Sequence, residues 1–289
     1  MTNYTKQEIN QILTLRYHQH LLNEDLKKGK FKIPVHLAFG HEAIAVAIKN
    51  LVNKNDKICL THRNAAYNLS FAEDFNSVIA HYKLKNKKFN SLMGSMNLSI
   101  KDKNIIYSSS ILGNDLGVAT GIAMNHKIQN KKGIVFAFTG DGAIEEGIFW
   151  ETLLFIKTHK LKVVIVLENN DFSMSSTTDE RRASINFEKL CESINIGYRK
   201  EKGYIYPGVK KSLKDSISDA AQGIPNLIEF SLKTFNQHAG PTPGWPTDIL
   251  NISLNDGLLL KNTKQDPLFH LVKTIGQVKY KKLSKGIVK

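Results

Sequence analysis

Two apolar runs stand out along the chain. Ile134-Val-Phe-Ala-Phe138 and Lys162-Val-Val-Ile-Val-Leu167 are continuous rather than alternating, the pattern of strands buried on both faces. Between them, Ala143 to about Thr158 has helical composition. A strand–helix–strand unit predicts two parallel strands joined by a right-handed crossover. The first strand runs into Thr139-Gly140-Asp141-Gly142-Ala143 and the second into Glu168-Asn169-Asn170-Asp171-Phe172. Both polar clusters therefore fall at the carboxyl ends of neighbouring strands, where open α/β sheets bind ligands. Asn226 to Phe235 reads as a late strand that delivers Asn236, Gln237 and His238 to the same edge.

The rest of the pattern fills in around this unit. Residues 1–30 are expected to supply an N-terminal helix, from about residue 4, with apolar residues at helical intervals and the basic end Lys27-Lys28-Gly29-Lys30. Gly113 to Lys127 reads as a helix carrying Gly117, Ala119, Gly121 and Ala123, small residues suited to close packing on the sheet or on another subunit. Ala239 to Pro246 is rich in Pro and Gly and cannot be regular structure. Residues 236–256 are thus expected to form an active-site loop over the ligand edge. The predicted fold class is α/β, a parallel sheet with helices on both faces, in one domain over residues 1–289.

Composition narrows the function classes. The 289 residues are 42% hydrophobic, enough for a sizeable core. No apolar run approaches the roughly 20 residues that span a bilayer, and the first residues have no apolar leader core, so no membrane association is expected. Cys59 and Cys191 are too few and too isolated for a disulfide framework or a zinc site, and read as core thiols of a cytoplasmic protein. The formal net charge is +14, but the lysines are dispersed and no nucleic-acid module accompanies them, so nucleic-acid binding is not expected. The excess charge reads as a solvated surface, with steering of anionic substrates or docking on an acidic partner as secondary uses.

The chemistry of the ligand edge follows from the residue types. Asp141 offers a carboxylate, Asn170 an amide oxygen and Phe172, two residues on, a backbone carbonyl. Three oxygens of this kind suit a hard octahedral cation such as Mg²⁺, which completes its shell with water and phosphate oxygens. Gly140 and Gly142 allow close backbone approach, and the first amides of the following helix make an anion site. Magnesium with a diphosphate is the expected ligand. Glu145 and Glu146 are placed in the first turn of that helix, where they favour the dipole.

Gly140-Asp141-Gly142 followed by Asn169-Asn170 resembles the thiamine diphosphate motif. Five segments occur in the order found in alpha subunits of 2-oxo-acid dehydrogenases of the pyruvate, branched-chain and acetoin types. They are Pro34 to Ala43, Thr61 to Asn64, Gly94 to Leu98, Ser110 to Gly113 and Gly140 to Gly147. The resemblance runs from about Leu22 to about Asp248. It implies a diphosphate-type thiamine diphosphate-binding domain, with thiamine diphosphate and Mg as cofactors. Asp141, Asn170 and the Phe172 carbonyl would hold the metal. His62, Arg63, Leu112, Asp141, Gly142, Ala143, Asn170 and His238 would line the cofactor site, with Arg63 on a diphosphate oxygen and His238 as the catalytic loop histidine.

The resemblance also implies a partner. Family sites form between two domains, and this chain resembles the diphosphate half. A beta subunit with the pyrimidine-binding domain is expected, two alpha with two beta. A 2-oxo acid is the implied substrate, and a lipoyl protein or a sugar or aldehyde the acceptor. Two departures bear on the acceptor. Where relatives commonly carry His-Arg-Asn-His-Gly, this chain has His62-Arg-Asn-Ala65-Ala66, and it ends soon after Asp266-Pro267. Acyloin-forming transfer therefore stays open. So does a split transketolase, suggested by Trp150-Glu151 and His159-Lys160-Leu161, and so does a non-catalytic cofactor-binding scaffold.

Overall fold

The computed structural model describes residues 4–31, 33–83, 100, 102–236, 238, 241, 251–260 and 263–288. The Gly94 to Leu98 segment and most of the expected 236–256 loop lie outside the described residues. The chain order is α1 (Lys6–Lys27), α2 (Glu42–Leu51), β1 (Lys57–Leu60), α3 (Ala65–Phe71), α4 (Phe75–Tyr82), β2 (Ile105–Ser108), α5 (Asn114–Ile128) and β3 (Val135–Gly140). Then come α6 (Gly147–Thr158), β4 (Val163–Asn169), a hairpin of β5 (Phe172–Ser173) and β6 (Ser176–Thr177), α7 (Thr178–Arg181), α8 (Phe187–Ser193) and β7 (Gly197–Lys202). Last are α9 (Tyr206–Ala221), β8 (Asn226–Ser231), α10 (Pro267–Ile275) and α11 (Gln277–Val288).

Six strands form one sheet in the order β2-β1-β3-β4-β8-β7, with every neighbouring pair parallel. The predicted pairing of the two apolar strands is present: β3 and β4 run in register from Val135 opposite Val163 to Gly140 opposite Glu168. The continuous apolar runs are explained by burial on both faces. Val135 and Ala137 of β3, with Val163, Ile165 and Leu167 of β4, pack under α5, α6 and α8. Phe136, Phe138, Val164 and Val166 face the other way, into a core shared with α1, α2, α3 and α9. Each such Val, Ile, Leu or Phe side chain stabilises the fold by about 1.5–3 kcal/mol of apolar burial.

The strand order places a switch point between β1 and β3. From β1 the chain goes outward to β2, then returns to the other side of β1 as β3. Connections leaving β1 and β3 therefore diverge and open a crevice at their carboxyl ends. Thr61, His62 and Arg63 follow β1, and Asp141 follows β3, so the topology itself brings them together.

Three local expectations are refined. The N-terminal helix runs from Lys6 to Lys27 and is capped by a Thr5–Glu8 capping box. In α5, Ala119 and Ala123 are buried toward the sheet, Gly117 packs against Ile148, and Gly121 is exposed. The helix expected from Ala143 does not start there. Ala143–Glu145 is a 3₁₀ turn, Glu146 is extended (ψ 141°), and α6 begins at Gly147. Glu145 and Glu146 are therefore outside the helix. Glu145 instead pairs with Arg181 at 3.0 Å and Arg182 at 3.3 Å. The break weakens the dipole argument for anion binding at Gly142 and Ala143, because a three-residue turn sums few peptide dipoles.

Candidate active site

The carboxyl edge of the sheet holds a cleft that all nine expected site residues line. His62, Arg63, Leu112, Asp141, Gly142, Ala143, Asn170, Phe172 and His238 converge there from the ends of five elements. The cleft has a cavity volume of about 70 Å³ and opens to solvent on one side. Asp141 and Ala143 are buried, Arg63, His62, Asn170 and His238 are half-buried, and Leu112 and Phe172 are exposed.

The three oxygen donors sit at the ends of adjacent strands. Asp171 takes a left-handed conformation (φ 60°), turning the chain from Asn170 into the β5–β6 hairpin. Asn170 is pinned by two bonds: its Nδ2 donates to Thr234 Oγ1 at 2.9 Å, and its Oδ1 accepts from the Phe172 amide at 3.1 Å. Asn170 Oδ1, with a second lone pair, and the Phe172 carbonyl oxygen remain suitable for a hard cation. Gly142 is required by its surroundings, since a Cβ there would come within 2.5 Å of Ser173 Oγ. Two further buried oxygens of cleft-lining residues, Thr139 Oγ1 and Asp115 Oδ2, have no hydrogen-bond partner among the described residues. This donor set fits magnesium with a polar, anionic ligand.

Behind the donors lies a bonded network. Thr234 Oγ1 is 2.8 Å from His41 Nε2, and His41 Nδ1 is 2.8 Å from Glu168 Oε1, which also accepts from the Tyr67 hydroxyl. The chain of donors is consistent with a proton on His41 Nδ1. His41 is held by the turn before α2, where Gly40 has φ 104° and a Cβ would lie 2.1 Å from the Lys233 carbonyl oxygen. The Gly40 amide donates to Glu42 Oε2 at 2.9 Å, and Arg16 donates to both Glu42 oxygens at 2.6 and 3.0 Å. Arg16 also donates to Asp266 at 2.7 and 3.0 Å, so α1, α2 and the start of α10 meet on one buried guanidinium.

The charges at the cleft are set by burial and a few neighbours. Burial raises the Asp141 carboxyl above its ordinary range, and Arg181, whose Nη2 lies 2.7 Å from Asp141 Oδ2, pulls it back in part. A metal at Asp141 must share or displace that guanidinium. Burial, reinforced by Arg63, pushes His238 down to about 4, so it is a neutral acceptor at pH 7. His62 and His36 are pushed down by burial to about 3 and about 2. Arg63 donates to the carbonyl oxygens of Leu37 at 2.8 Å and His238 at 3.4 Å, which ties the α1–α2 connection to the loop histidine.

Several residues in or beside the cleft escaped the motif reading. His36, His41 and Glu168 lie inside quoted segments but no spacing rule singles them out. Arg181 and Thr234 reach the site only through the hairpin and the chain after β8. Asp115 is visible in sequence only as a helix-start carboxylate, yet its side chain is buried and burial pushes it up to about 7, against a small opposing effect of its own backbone N–H. Its unfolded value is about 3.9, so the folded state holds the proton more tightly. The stability this confers is complete below about pH 4 and is lost as pH rises to about 7. Asp115→Asn is therefore expected to be more stable than the parent at pH 8, on the order of 1–4 kcal/mol, with the difference vanishing near pH 4. Urea melts at the two pH values check this, and a difference that does not change with pH would refute it.

Comparison with known proteins identifies the family. The family model described as "Dehydrogenase E1 component" matches residues 11–200, more than half of the chain. The alpha subunit of acetoin:2,6-dichlorophenolindophenol oxidoreductase from Cupriavidus necator is 28% identical over 227 residues, covering 78% of this chain and 68% of that one. The pyruvate dehydrogenase E1 component subunit alpha of Rhizobium meliloti is 23% identical over 211 residues, covering 72% of this chain and 60% of the relative. The aligned region thus spans about two thirds of the length of these relatives. A transketolase from Leishmania mexicana superposes with a TM-score of 0.58 at 14% identity, over 76% of this chain and 36% of that one; this likeness shows the fold alone. The family resemblance read from the motifs is borne out, and the chain belongs to the dehydrogenase E1 component family, with alpha subunits among its relatives.

Proposed function

We propose that this chain is the alpha subunit of a thiamine diphosphate- and magnesium-dependent enzyme that decarboxylates a 2-oxo acid and passes on the remaining fragment. The observation that carries the reading is the convergence of Asp141, Asn170 and Phe172 with Arg63 on one cleft at the switch point of the sheet. Asp141, Asn170 Oδ1 and the Phe172 carbonyl would hold the metal, and Arg63, with the Gly142 and Ala143 amides, the diphosphate. Thiamine diphosphate, when bound, supplies the carbanion that attacks the oxo carbon and the electron sink for decarboxylation. The neutral His62 and His238 rings would accept protons at the reacting end, and Leu112 would support the pyrimidine ring.

A second chain completes the site in this reading. The rim of the cleft exposes the apolar side chains of Ile111, Leu112, Phe172 and Met174. An apolar rim around a polar cleft marks a surface to be covered. We assign it to a beta subunit, in an assembly of two alpha and two beta, since closed two-fold symmetry is common. A cytoplasmic location is proposed, consistent with the free, buried thiols Cys59 and Cys191. Among the described residues no helix is long and apolar enough to cross a membrane.

The acceptor has two readings. A lipoyl protein is the first. The second, acyloin-type transfer to an aldehyde or ketone, is favoured by Ala65, which is buried at the first turn of α3 where relatives commonly carry a histidine. The test is to saturate the chain with cofactor and magnesium and assay decarboxylation of pyruvate and branched 2-oxo acids, alone and with a beta-type partner. No turnover is expected from the chain alone. Robust turnover without a partner would refute the two-chain reading, and a coupled carbon–carbon product in place of reduced acceptor would select the acyloin reading.

A further inference from the structure

Asn170 can serve a cation only through Oδ1, so its amide must be held the right way round. Two contacts act on it. The Phe172 amide reaches Oδ1 from the same turn, and Thr234 Oγ1, on the segment after β8, takes Nδ2. The Thr234 contact ends a longer chain. Thr234 Oγ1 lies 2.8 Å from His41 Nε2, and His41 Nδ1 lies 2.8 Å from Glu168 Oε1, to which the Tyr67 hydroxyl also donates. Tyr67, His41 and Glu168 are all buried, so the chain runs through the protein interior. Backbone bonds clamp the Thr234 segment on both sides. The Leu232 amide donates to the Asn169 carbonyl oxygen at 3.0 Å, and the Phe235 amide to the Phe39 carbonyl oxygen at 3.1 Å. Thr234 is thus fixed between the end of β4 and the turn that carries His41.

We propose that His41 and Thr234 are positioning residues for the metal site, the middle of a one-way hydrogen-bond chain from Glu168 that leaves Asn170 able to present only its carbonyl oxygen. The inference rests on Asn170 as a metal donor in the reading above. Each link constrains the next. A carboxylate only accepts, so His41 donates from Nδ1. A neutral ring with its proton on Nδ1 only accepts at Nε2, so the Thr234 hydroxyl commits its hydrogen there. Thr234 Oγ1 then turns lone pairs alone toward Asn170, and only the amide NH₂ can meet them. A flipped Asn170 would set its carbonyl oxygen against those lone pairs and aim two N–H donors at a dication. The need for a donor at this contact is also a reason for an amide rather than a carboxylate at position 170.

Two measurements on the full chain separate the direction of the hydrogen bonds from their effect on the metal. The first needs no ligand. In protein labelled with heavy-nitrogen histidine, the ring whose Nε2 resonance moves in Thr234→Val is His41, and in the parent its proton is expected on Nδ1. A proton on Nε2 overturns the inference and leaves the metal reading standing. The second titrates Mn²⁺, an oxygen-preferring stand-in for Mg²⁺, in the presence of thiamine diphosphate, with free Mn²⁺ read from its paramagnetic resonance signal. Thr234→Val is expected to weaken Mn²⁺ binding by about tenfold or more, as losing the partner that orients a ligand does, and Thr234→Ser, which keeps the hydroxyl, to restore it. Thr234→Ala removes the hydroxyl without placing a methyl against His41 and serves as the second variant, and melts without ligand confirm that each protein is folded. Parent-level Mn²⁺ binding in folded Thr234→Val and Thr234→Ala would show that the Phe172 amide alone orients Asn170, and would overturn the positioning role. No Mn²⁺ binding by the parent would instead overturn the metal reading itself, and this inference with it.

Discussion

Asp141→Ala is expected to abolish the thermal stabilisation that thiamine diphosphate and magnesium confer together, while leaving the unliganded fold intact. A ligand stabilises only the state that binds it, by about 2.7 kcal/mol at a hundredfold excess over Kd. Asp141 is the only carboxylate of the three proposed metal donors, so its removal takes away the charge that holds a dication. The fold should tolerate the change for two reasons. Burial makes the Asp141 carboxyl costly to ionise, and Arg181 keeps its bond to Glu145 when Asp141 is gone. The measurement is a pair of thermal melts for each protein, with and without cofactor and magnesium. Equal stabilisation in parent and variant would sink the metal assignment. Stabilisation of the parent by cofactor alone, without magnesium, would count against the metal bridge.

The second large effect is on stability. Arg16→Met is expected to lower the unfolding free energy by about 3–5 kcal/mol, because it leaves Glu42 and Asp266 buried without their counter-charge. All three side chains are fully buried. Burial opposes the charge on Arg16, but Asp266 and Glu42 outweigh it and hold the guanidinium firmly protonated. The network also joins distant segments, since Arg16 is on α1, Glu42 on α2 and Asp266 caps α10 through the Leu268 amide. Weaker cofactor binding is expected as well. Glu42 accepts from the Gly40 amide, Gly40 precedes His41, and His41 reaches Asn170 through Thr234. Urea unfolding of both proteins gives the stability difference. A loss under about 1 kcal/mol would show that the carboxylates find other partners or water, and that the cluster is not a buried ion-pair network.

Much of the architecture was legible before any coordinates. The unbroken apolar runs at 134–138 and 162–167 could be satisfied only by strands covered on both faces, and they are the central β3 and β4. The helical crossover between them set their parallel direction, and with it the placement of Asp141 and Asn170 on one edge. The metal donors were readable because they are local: each sits one to three residues past a strand end, so backbone geometry alone delivers it. The start of α6 is not legible because helical composition is continuous from Ala143, while the structure breaks at Glu146 and Glu145 pairs with Arg181 and Arg182.

What only the tertiary structure decided is which distant side chains meet and what charge they carry. His36, His62 and His238 are separated by long stretches of sequence, and no spacing rule links them. The same holds for Arg181 on Asp141, for Arg16 between Glu42 and Asp266, and for the chain from Tyr67 through Glu168 and His41 to Thr234. Their protonation follows from burial, a property of the packed molecule. It places His238 near 4 and Asp115 near 7, in the reverse of their ordinary order. Local patterns of polarity determined the strands and the edge that binds, because those depend on neighbours along the chain. The chemistry at that edge depends on neighbours across it, which hydrophobic periodicity does not encode.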